Sequence, residues 1–398
     1  LWRQSPREVT AEQYDEFYKH LTLEFDSPLL HIHMVTDVPV DVHAILYIPA
    51  KRERGIFSLR KDDGLKLYSK KILIQEYFKD LLPHHFRFVQ GVVDSEDLPL
   101  NISRESIQNN RAMAKLKSTL THKIASELAD LGEKDAAKYT TFWQEFGPYV
   151  KEGIATDPGS QPDLAKLLRF KTSRSSADEW VSLQTYVDRL KPDQDTIYYI
   201  LGEDLRSVTH SPHLDSFRQR DLEVLYLVEP IDSFMVMPLK EFNGKKLHNV
   251  DDANLSLPKS DQPVVESKVG NEDFAQLVVR LKNTLGDKIT EVRESKVLTD
   301  SPCRLVSPEG EADRDMQRVK RMLGQDYEIP KKIMEINRGH TLIADMATLI
   351  KTGSNDALLE ACIQQLYESS LLIEGLLPNP AEMVPRIQTL MEAAVKHP

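Results

Sequence analysis

Apolar positions change period several times along the chain, and each change marks an element. Tyr14, Phe17, Tyr18 and Leu21 recur at helical steps behind Thr10, which is placed to cap an amphipathic helix. Residues 42–48 alternate β-branched, aromatic and aliphatic side chains until Pro49 stops them, which predicts a strand; 65–74 and 86–93 read the same way. Ile107, Met113, Leu116, Leu120, Ile124 and Leu128 then lie three and four apart and predict a helix over 104–130 with these residues in the core. A second helix is expected over 135–146, ending near Gly147-Pro148, with shorter helical pieces at 164–170 and 183–190.

Residues 196–202 read as a buried strand, 212–219 as a helix with proline near its start, and 223–228 as another strand. Strand, helix and strand over about thirty residues form a parallel crossover unit. Residues 243–272 are rich in Gly, Pro, Asn, Asp and Ser and poor in periodicity, so they read as a linker. Beyond it a helix is expected at 273–281, with short strands at 296–298 and 304–306. Over 313–323, Met316, Val319 and Leu323 share one face, and Arg318, Lys320 and Arg321 line the others.

The last helices carry the broadest apolar stripes. Leu359, Cys362, Ile363, Leu366, Ile373 and Leu376 share a face over 355–377, with Ser354 or Asp356 as cap. After Pro378 and Pro380 a final helix carries Met383, Ile387, Leu390, Met391 and Val395. Such a hairpin buries its apolar side either on its own domain or in a four-helix bundle with a second copy. The pattern gives a mixed α/β, multi-domain chain. Two α/β layers (1–155 and 195–245) are joined by a helical spacer (156–194). A linker (246–270) then leads to a smaller α/β unit (271–398) that ends in the hairpin.

Composition narrows the function. The chain has 398 residues, net charge −11 and pI near 5.6, which excludes the basic field of a constitutive nucleic-acid binder. Its two cysteines, Cys303 and Cys362, make no disulfide framework, and a reducing cytoplasmic setting is expected. No apolar run reaches membrane-spanning length, so no membrane partner is expected. The start at Leu1 suggests a piece of a longer protein whose amino-terminal part lies upstream.

Self-contained catalytic motifs are missing. The sequence holds no Gly-x-Gly, no Walker A, no His-Glu-x-x-His and no Gly-x-Ser-x-Gly. His31, His33, His43 and the His84-His85 pair lack nearby Cys or acids at ligand spacing, so they read as ordinary polar histidines and no metal is expected. One segment stands out. In Leu98-Pro-Leu-Asn-Ile-Ser-Arg-Glu-Ser-Ile-Gln108 an extended X-Pro stretch turns into a helix that Asn101 or Ser103 can cap. Arg104 and Gln108, four apart, share a helix face, an arrangement that can present an arginine to a phosphate, although spacing alone favours an ordinary surface arginine. Residues 51–71 carry eight Lys/Arg against three acids, with Ile56 and Phe57 in the middle, either tucked beneath the sheet or offered to a partner.

The 98–108 segment resembles the 90-kilodalton heat-shock (Hsp90) chaperone family, in particular its bacterial HtpG branch. The resemblance extends through Phe17-Tyr-Lys, Ile45-Leu-Tyr-Ile-Pro49, Gly64-Leu-Lys-Leu-Tyr68, Lys138-Tyr-Thr-Thr-Phe-Trp143, Lys166-Leu-Leu-Arg-Phe170, Ile197-Tyr-Tyr199 and Ser211-Pro-His-Leu214. It is dense to about residue 245 and weaker beyond the linker. It implies that 1–245 is the family's middle domain and 271–398 its dimerisation domain, with the ATP-binding domain absent. It implies that Arg104 contacts the ATP γ-phosphate on that neighbouring domain, supported by Gln108, as a cationic fork suits phosphoryl transfer. ATP with magnesium is then held outside these residues, no cofactor is expected within them, and no hydrolysis by this stretch alone.

The resemblance further implies a homodimer that binds unfolded or partly folded client proteins, with cochaperones as possible partners. Client contacts fall on Phe234 and Met235, where bacterial relatives often carry Trp at 234, on Met316, Val319 and Leu323, and on the mobile-loop tip Ile56 and Phe57. The dimer interface falls on Leu359, Cys362, Ile363, Leu366, Ile373, Leu376, Ile387, Leu390 and Met391. The ending Lys396-His-Pro398 lacks the acidic tail of eukaryotic relatives, so helpers that read that tail are not expected. Two rivals differ in class: a stand-alone α/β phosphate-handling enzyme with its site at Arg104, and a dimeric scaffold without client binding.

Overall fold

The computed structural model describes residues 1–52, 64–98, 111–252, 257, 267–308, 319–320, 329 and 331–396. The chain divides into two compact units, Leu1–Arg169 and Phe170–Pro398.

The first unit is built on a five-stranded sheet of order β1-β2-β5-β3-β4, from β1 (Leu30–Thr36), β2 (Val42–Ile48), β3 (Leu65–Ser69), β4 (Ile72–Phe78) and β5 (Gln90–Asp94). The expected first helix is α1 (Ala11–Thr22). Thr10 accepts from the Gln13 amide, and the Gln13 side chain accepts from the Thr10 amide, a full capping box. Its apolar face lays Tyr14 and Tyr18 on Tyr47, Ile45 and Val92 of the sheet. β2 is buried almost throughout, as its run of large apolar residues requires, and β5 pairs antiparallel with β2 and parallel with β3.

The 65–74 run is not one strand. Lys70 and Lys71 take φ of 51° and 69°, so the chain reverses there and β3 pairs antiparallel with β4. A two-residue turn of the primed kind needs positive φ at both central residues. Lys-Lys carries no such signal, which is why the periodicity runs straight through it. The same unit carries α2 (Arg111–Lys134), α3 (Ala136–Thr156) and α4 (Gln161–Leu167), which pack on one another. α3 does not end at Gly147-Pro148 but carries Pro148 inside it. An interior proline costs about 3 kcal/mol. Buried Trp143, Phe146, Val150 and Ile154 on either side outweigh it, and Gly147 leaves room for the Trp143 ring, which an added Cβ would meet at 3.0 Å.

Among its described residues the second unit holds two sheets. The six-stranded one runs β10-β11-β8-β9-β6-β7, from β6 (Arg169–Thr172), β7 (Val181–Ser182), β8 (Thr196–Leu201), β9 (Leu225–Leu227), β10 (Glu241–Phe242) and β11 (Lys245–Asn249). β8 and β9 are parallel neighbours, joined through α6 (Leu205–Thr209) and α7 (Asp215–Gln219), so the expected crossover is present. α5 (Leu183–Asp188) precedes β8 and α8 (Pro230–Val236) comes after β9. The stretch expected to be a featureless linker begins with structure: Asn243 and Gly244, both at positive φ, turn β10 into β11, which pairs parallel with β8.

The three-stranded sheet runs β12-β14-β13, from β12 (Ile289–Glu294), β13 (Cys303–Val306) and β14 (Lys332–Ile336). Its helices are α9 (Asn271–Leu285), α10 (Thr341–Thr352), α11 (Asp356–Ile373) and α12 (Val384–Lys396). Residues 296–298 are not the expected strand. Ser295 Oγ accepts from the amides of Val297 and Leu298, a local turn that competes with strand pairing. Among the described residues of this unit are two buried ion clusters. Glu335 accepts from Arg304 Nε at 2.8 Å and from Arg293 Nη2 at 2.7 Å. Lys332, only 2% exposed, meets Glu374 and lies 3.3 Å from Asp251.

Candidate functional site

Arg104 and Gln108 lie outside the described residues, as do the tip residues Ile56 and Phe57 and, among the proposed client contacts, Met316 and Leu323. The approach to the arginine segment is described. β5 ends at Asp94, and residues 94–98 lead directly to that segment. The Asp94 side chain is fully buried and accepts from Arg3 Nε at 2.7 Å, Trp2 Nε1 at 3.2 Å and the Lys71 amide at 3.4 Å. Burial alone would raise its carboxyl, but the bonds from Arg3, Trp2 and Lys71 reverse that and hold it below its ordinary value. Arg3 also reaches Glu96 at 2.7 Å, and the two carboxylates push the guanidinium upward in turn.

The histidines of β1 do what polar histidines in a packed sheet do. His33 Nδ1 lies 2.6 Å from the Tyr14 hydroxyl, and His31 stacks on the Tyr14 ring at 3.9 Å. Burial, the largest cause for each, lowers both below the usual histidine value. No cluster of three or more metal-binding side chains occurs among the described residues. Cys303 is buried, and desolvation pushes its thiol up to about 11, which makes it inert as a nucleophile.

The proposed client contacts are divided by the short helix α8. Glu229 and Asp232 form a reciprocal cap at its start, with Pro230 at the first position. Phe234 points outward and is 36% exposed, whereas Met235 is fully buried. Met235 is therefore corrected from a surface contact to a core residue, since adjacent helix positions face about 100° apart. Met237, 40% exposed, is the methionine on the surface here, and a helical repeat of three from Phe234 would have found it. Val319 is also buried and packs inward.

The terminal hairpin separates in the same way. Leu359 and Ile363 of α11, with Tyr367 and Leu371, are buried in the unit's own core alongside Leu277, Leu281, Leu305 and Ile343, and Leu376 joins them. As a free interface, Leu359, Ile363 and Leu376 are corrected to core residues; the stripe on α11 is too broad to face one partner only. Cys362, Leu366 and Ile373 are half-buried, and Leu372 is exposed. On α12 no residue is buried: Val384, Ile387, Met391 and Val395 are all exposed, and Leu390 is half-buried. Val384 of α12 and Leu372 of α11 are exposed apolar residues that the stripes did not include. Arg386 ties α12 to α11 through Gln364, Gln365 and Glu368. A cavity of about 340 Å³ beside α11 is lined by Tyr367, Leu371 and Leu377 together with the charged residues Lys288, Lys331, Asp287, Glu368 and Glu382.

No helix among the described residues is long and apolar enough to cross a membrane. A family model described as Hsp90 protein matches residues 1–397. The chain is 36% identical over 398 residues to the chaperone protein HtpG of Desulfitobacterium hafniense (strain Y51), covering all of this chain and 64% of that protein. It is 38% identical over 380 residues to the HtpG of Geobacter sulfurreducens, covering 94% of this chain and 58% of the relative. It is 37% identical over 401 residues to the HtpG of Nitratidesulfovibrio vulgaris, covering 98% and 63%. The chain thus spans about three fifths of the length of the curated relatives it matches. A match from end to end, through the tethered 94–98 approach and the amphipathic last helix alike, means that the chain belongs to the Hsp90 protein family.

Proposed function

We propose that this chain is the client-binding and dimer-forming part of an ATP-dependent chaperone, and that Arg104, supported by Gln108, serves an ATP site held outside these residues. In this reading 1–245 acts as a middle domain, 246–270 as a linker and 271–398 as a dimerisation domain, working in the cytoplasm. The observation that carries it is α12: an amphipathic helix with no buried residue, Ile387 and Met391 exposed on its apolar side. A helix of this kind needs a partner surface, and a second copy offering the same face satisfies the symmetry of a two-fold bundle. Phe234 and Met237 add an exposed aromatic and a flexible methionine, side chains that adapt to varied partners.

The proposal divides into separable tests. Changing Ile387 and Met391 together to Glu is expected to convert the dimer to monomer in sedimentation equilibrium; an unchanged dimer mass would remove α12 from the interface. Changing Phe234 and Met237 to Ser is expected to weaken binding of a chemically unfolded protein without altering dimer mass. Equal affinity would leave a dimeric scaffold without client binding. Arg104→Ala in the intact gene product is expected to slow ATP turnover about 10³-fold while leaving nucleotide affinity intact, on the scale that arginine fingers supply. Turnover near that of the parent would refute the role.

A further inference from the structure

The turn that joins β10 to β11 carries a reactive pair. Asn243-Gly244 is the single Asn-Gly of the sequence, and its residues stand at positive φ, 49° and 73°. This is the two-residue hairpin turn that such a pair favours. Both residues are exposed, and a Cβ placed on Gly244 would meet nothing within 4 Å. Among the described residues no acceptor takes the Gly244 amide proton. The Gly244 nitrogen is therefore open to solvent and to its own neighbour.

The Asn243 side chain is held at its far end. Its Nδ2 donates to Gln184 Oε1 at 2.7 Å, and Gln184 Nε2 in turn donates to Asp188 Oδ1 at 2.7 Å. A carboxylate accepts and does not donate, so Asp188 fixes which way the Gln184 amide faces, and Gln184 fixes that Asn243 presents its nitrogen. The relay ties the β10–β11 turn to α5, 59 positions earlier in the chain. Little else restrains the turn: β10 is two residues long and lies at the edge of its sheet. Local opening costs little at such an end, and it frees the side-chain amide to swing onto the neighbouring nitrogen.

We propose that Asn243 is a site of chemical modification, at which the side-chain amide is lost by cyclisation onto Gly244 and the turn comes to carry aspartate or isoaspartate. The Gly244 nitrogen gives its proton to solvent and forms a bond to Asn243 Cγ. The Cγ–Nδ2 bond breaks, and the nitrogen leaves as ammonia with a proton from solvent. Water then opens the cyclic imide. Cleavage on the Cγ side leaves aspartate; cleavage at the main-chain carbonyl leaves isoaspartate, with the backbone routed through the former side chain. The balance is one ammonia out and one water in, with no oxidant or reductant. Glycine at 244 leaves the attacking nitrogen uncrowded.

Either product replaces a donor by a carboxylate. Gln184 then meets an acceptor where it had a donor, and its one amino group would have to serve two carboxylates. The tie to α5 is lost. Isoaspartate also lengthens the turn by one carbon, which a two-residue connection matched to its flanking strands does not absorb.

The test incubates the folded, intact gene product at mildly alkaline pH in water enriched in heavy oxygen and maps its peptides by mass spectrometry. Methylation by a protein isoaspartyl methyltransferase is the second readout. The peptide spanning 243–244 is expected to take up label ahead of every other asparagine peptide and to become a methyl acceptor. It is expected to convert more slowly than in the urea-unfolded chain, because the turn has to open first. Gln184→Ala, at an exposed position, removes the tie and is expected to speed conversion in the folded protein about two- to tenfold, the effect of one hydrogen bond of ordinary net worth. Asn243→Asp, made directly, is expected to speed amide hydrogen exchange at residues 245–247 by a similar factor. If another asparagine is labelled before Asn243, the assignment is overturned. Conversion of Gln184→Ala at the parent rate overturns the restraint assigned to Gln184, and parent exchange in Asn243→Asp overturns the release of the turn.

Discussion

The two helices of the terminal hairpin are made of similar residues and have opposite fates. α11 has one face in the core, through Leu359, Ile363, Tyr367 and Leu371, and its neighbour strand β13 is linked to it where Cys303 Sγ lies 3.5 Å from Ser370 Oγ. α12 is the more amphipathic of the two but sets none of its side chains in that core, and Arg386 reaches across to the polar side of α11. Apolar periodicity therefore reports that a face will be covered without saying by what. The sheet beneath α11 answers for the first helix. The second leaves Val384, Ile387, Met391 and Val395 exposed.

Three measurements break or sharpen this contrast, beginning with the platform. Replacing Glu335 by Gln removes the carboxylate that joins β13 to β14 through Arg304 and braces Arg293. It is expected to cost about 3–5 kcal/mol at neutral pH, the scale of a buried pair losing one partner. Glu335 also sets a pH limb. Burial by itself would raise its carboxyl, but the Arg304 charge and the bonds from Arg293 and Arg304 hold it below its ordinary value. The stabilisation is complete above the ordinary carboxylate range and is lost as pH falls through the depressed value. Acid unfolding of the Gln variant is expected to lose that limb; an unchanged acid profile would assign it to other carboxylates.

Next in size is Ile363→Ala on the anchored helix, fully buried. It is expected to lower stability by about 2–5 kcal/mol in urea unfolding, as a core truncation does. The smallest change in the unit's own stability is expected on the unanchored helix. Met391→Ala, at a side chain 62% exposed, should shift stability by less than about 0.5 kcal/mol at concentrations that keep the chain monomeric. A loss there comparable with that of Ile363→Ala would mean that α12 is held by its own unit after all.

Much of the architecture is legible in the sequence because long apolar periods dominate it. The Thr10 cap, the buried β2, the crossover between β8 and β9, and the two terminal helices come from spacing alone. The misses are local. Lys70-Lys71 turns a hairpin without the residues that usually announce one, and Pro148 continues a helix because aromatic packing on both sides outweighs its missing amide. For the candidate site, spacing singles out Arg104 but not the Arg3–Asp94 ion pair at the end of β5. Arg3 and Asp94 are 91 positions apart, and nothing in a linear pattern pairs them. Likewise the exposure of Phe234 beside the burial of Met235 depends on which way one short helix is turned, not on the identity of either residue.

Gly91 has a consequence for how this chain can be recombined with its relatives. It is the second residue of β5, at φ +146°, where an added Cβ would come within 2.2 Å of the Ile45 carbonyl oxygen. β5 is bonded to β2 on one side and β3 on the other, so it cannot slide aside to make room. A graft that exchanges the arginine segment for that of another protein can vary the residues beyond 98. It has to keep glycine at 91 and the strand on which it lies, because any Cβ there meets the backbone of β2.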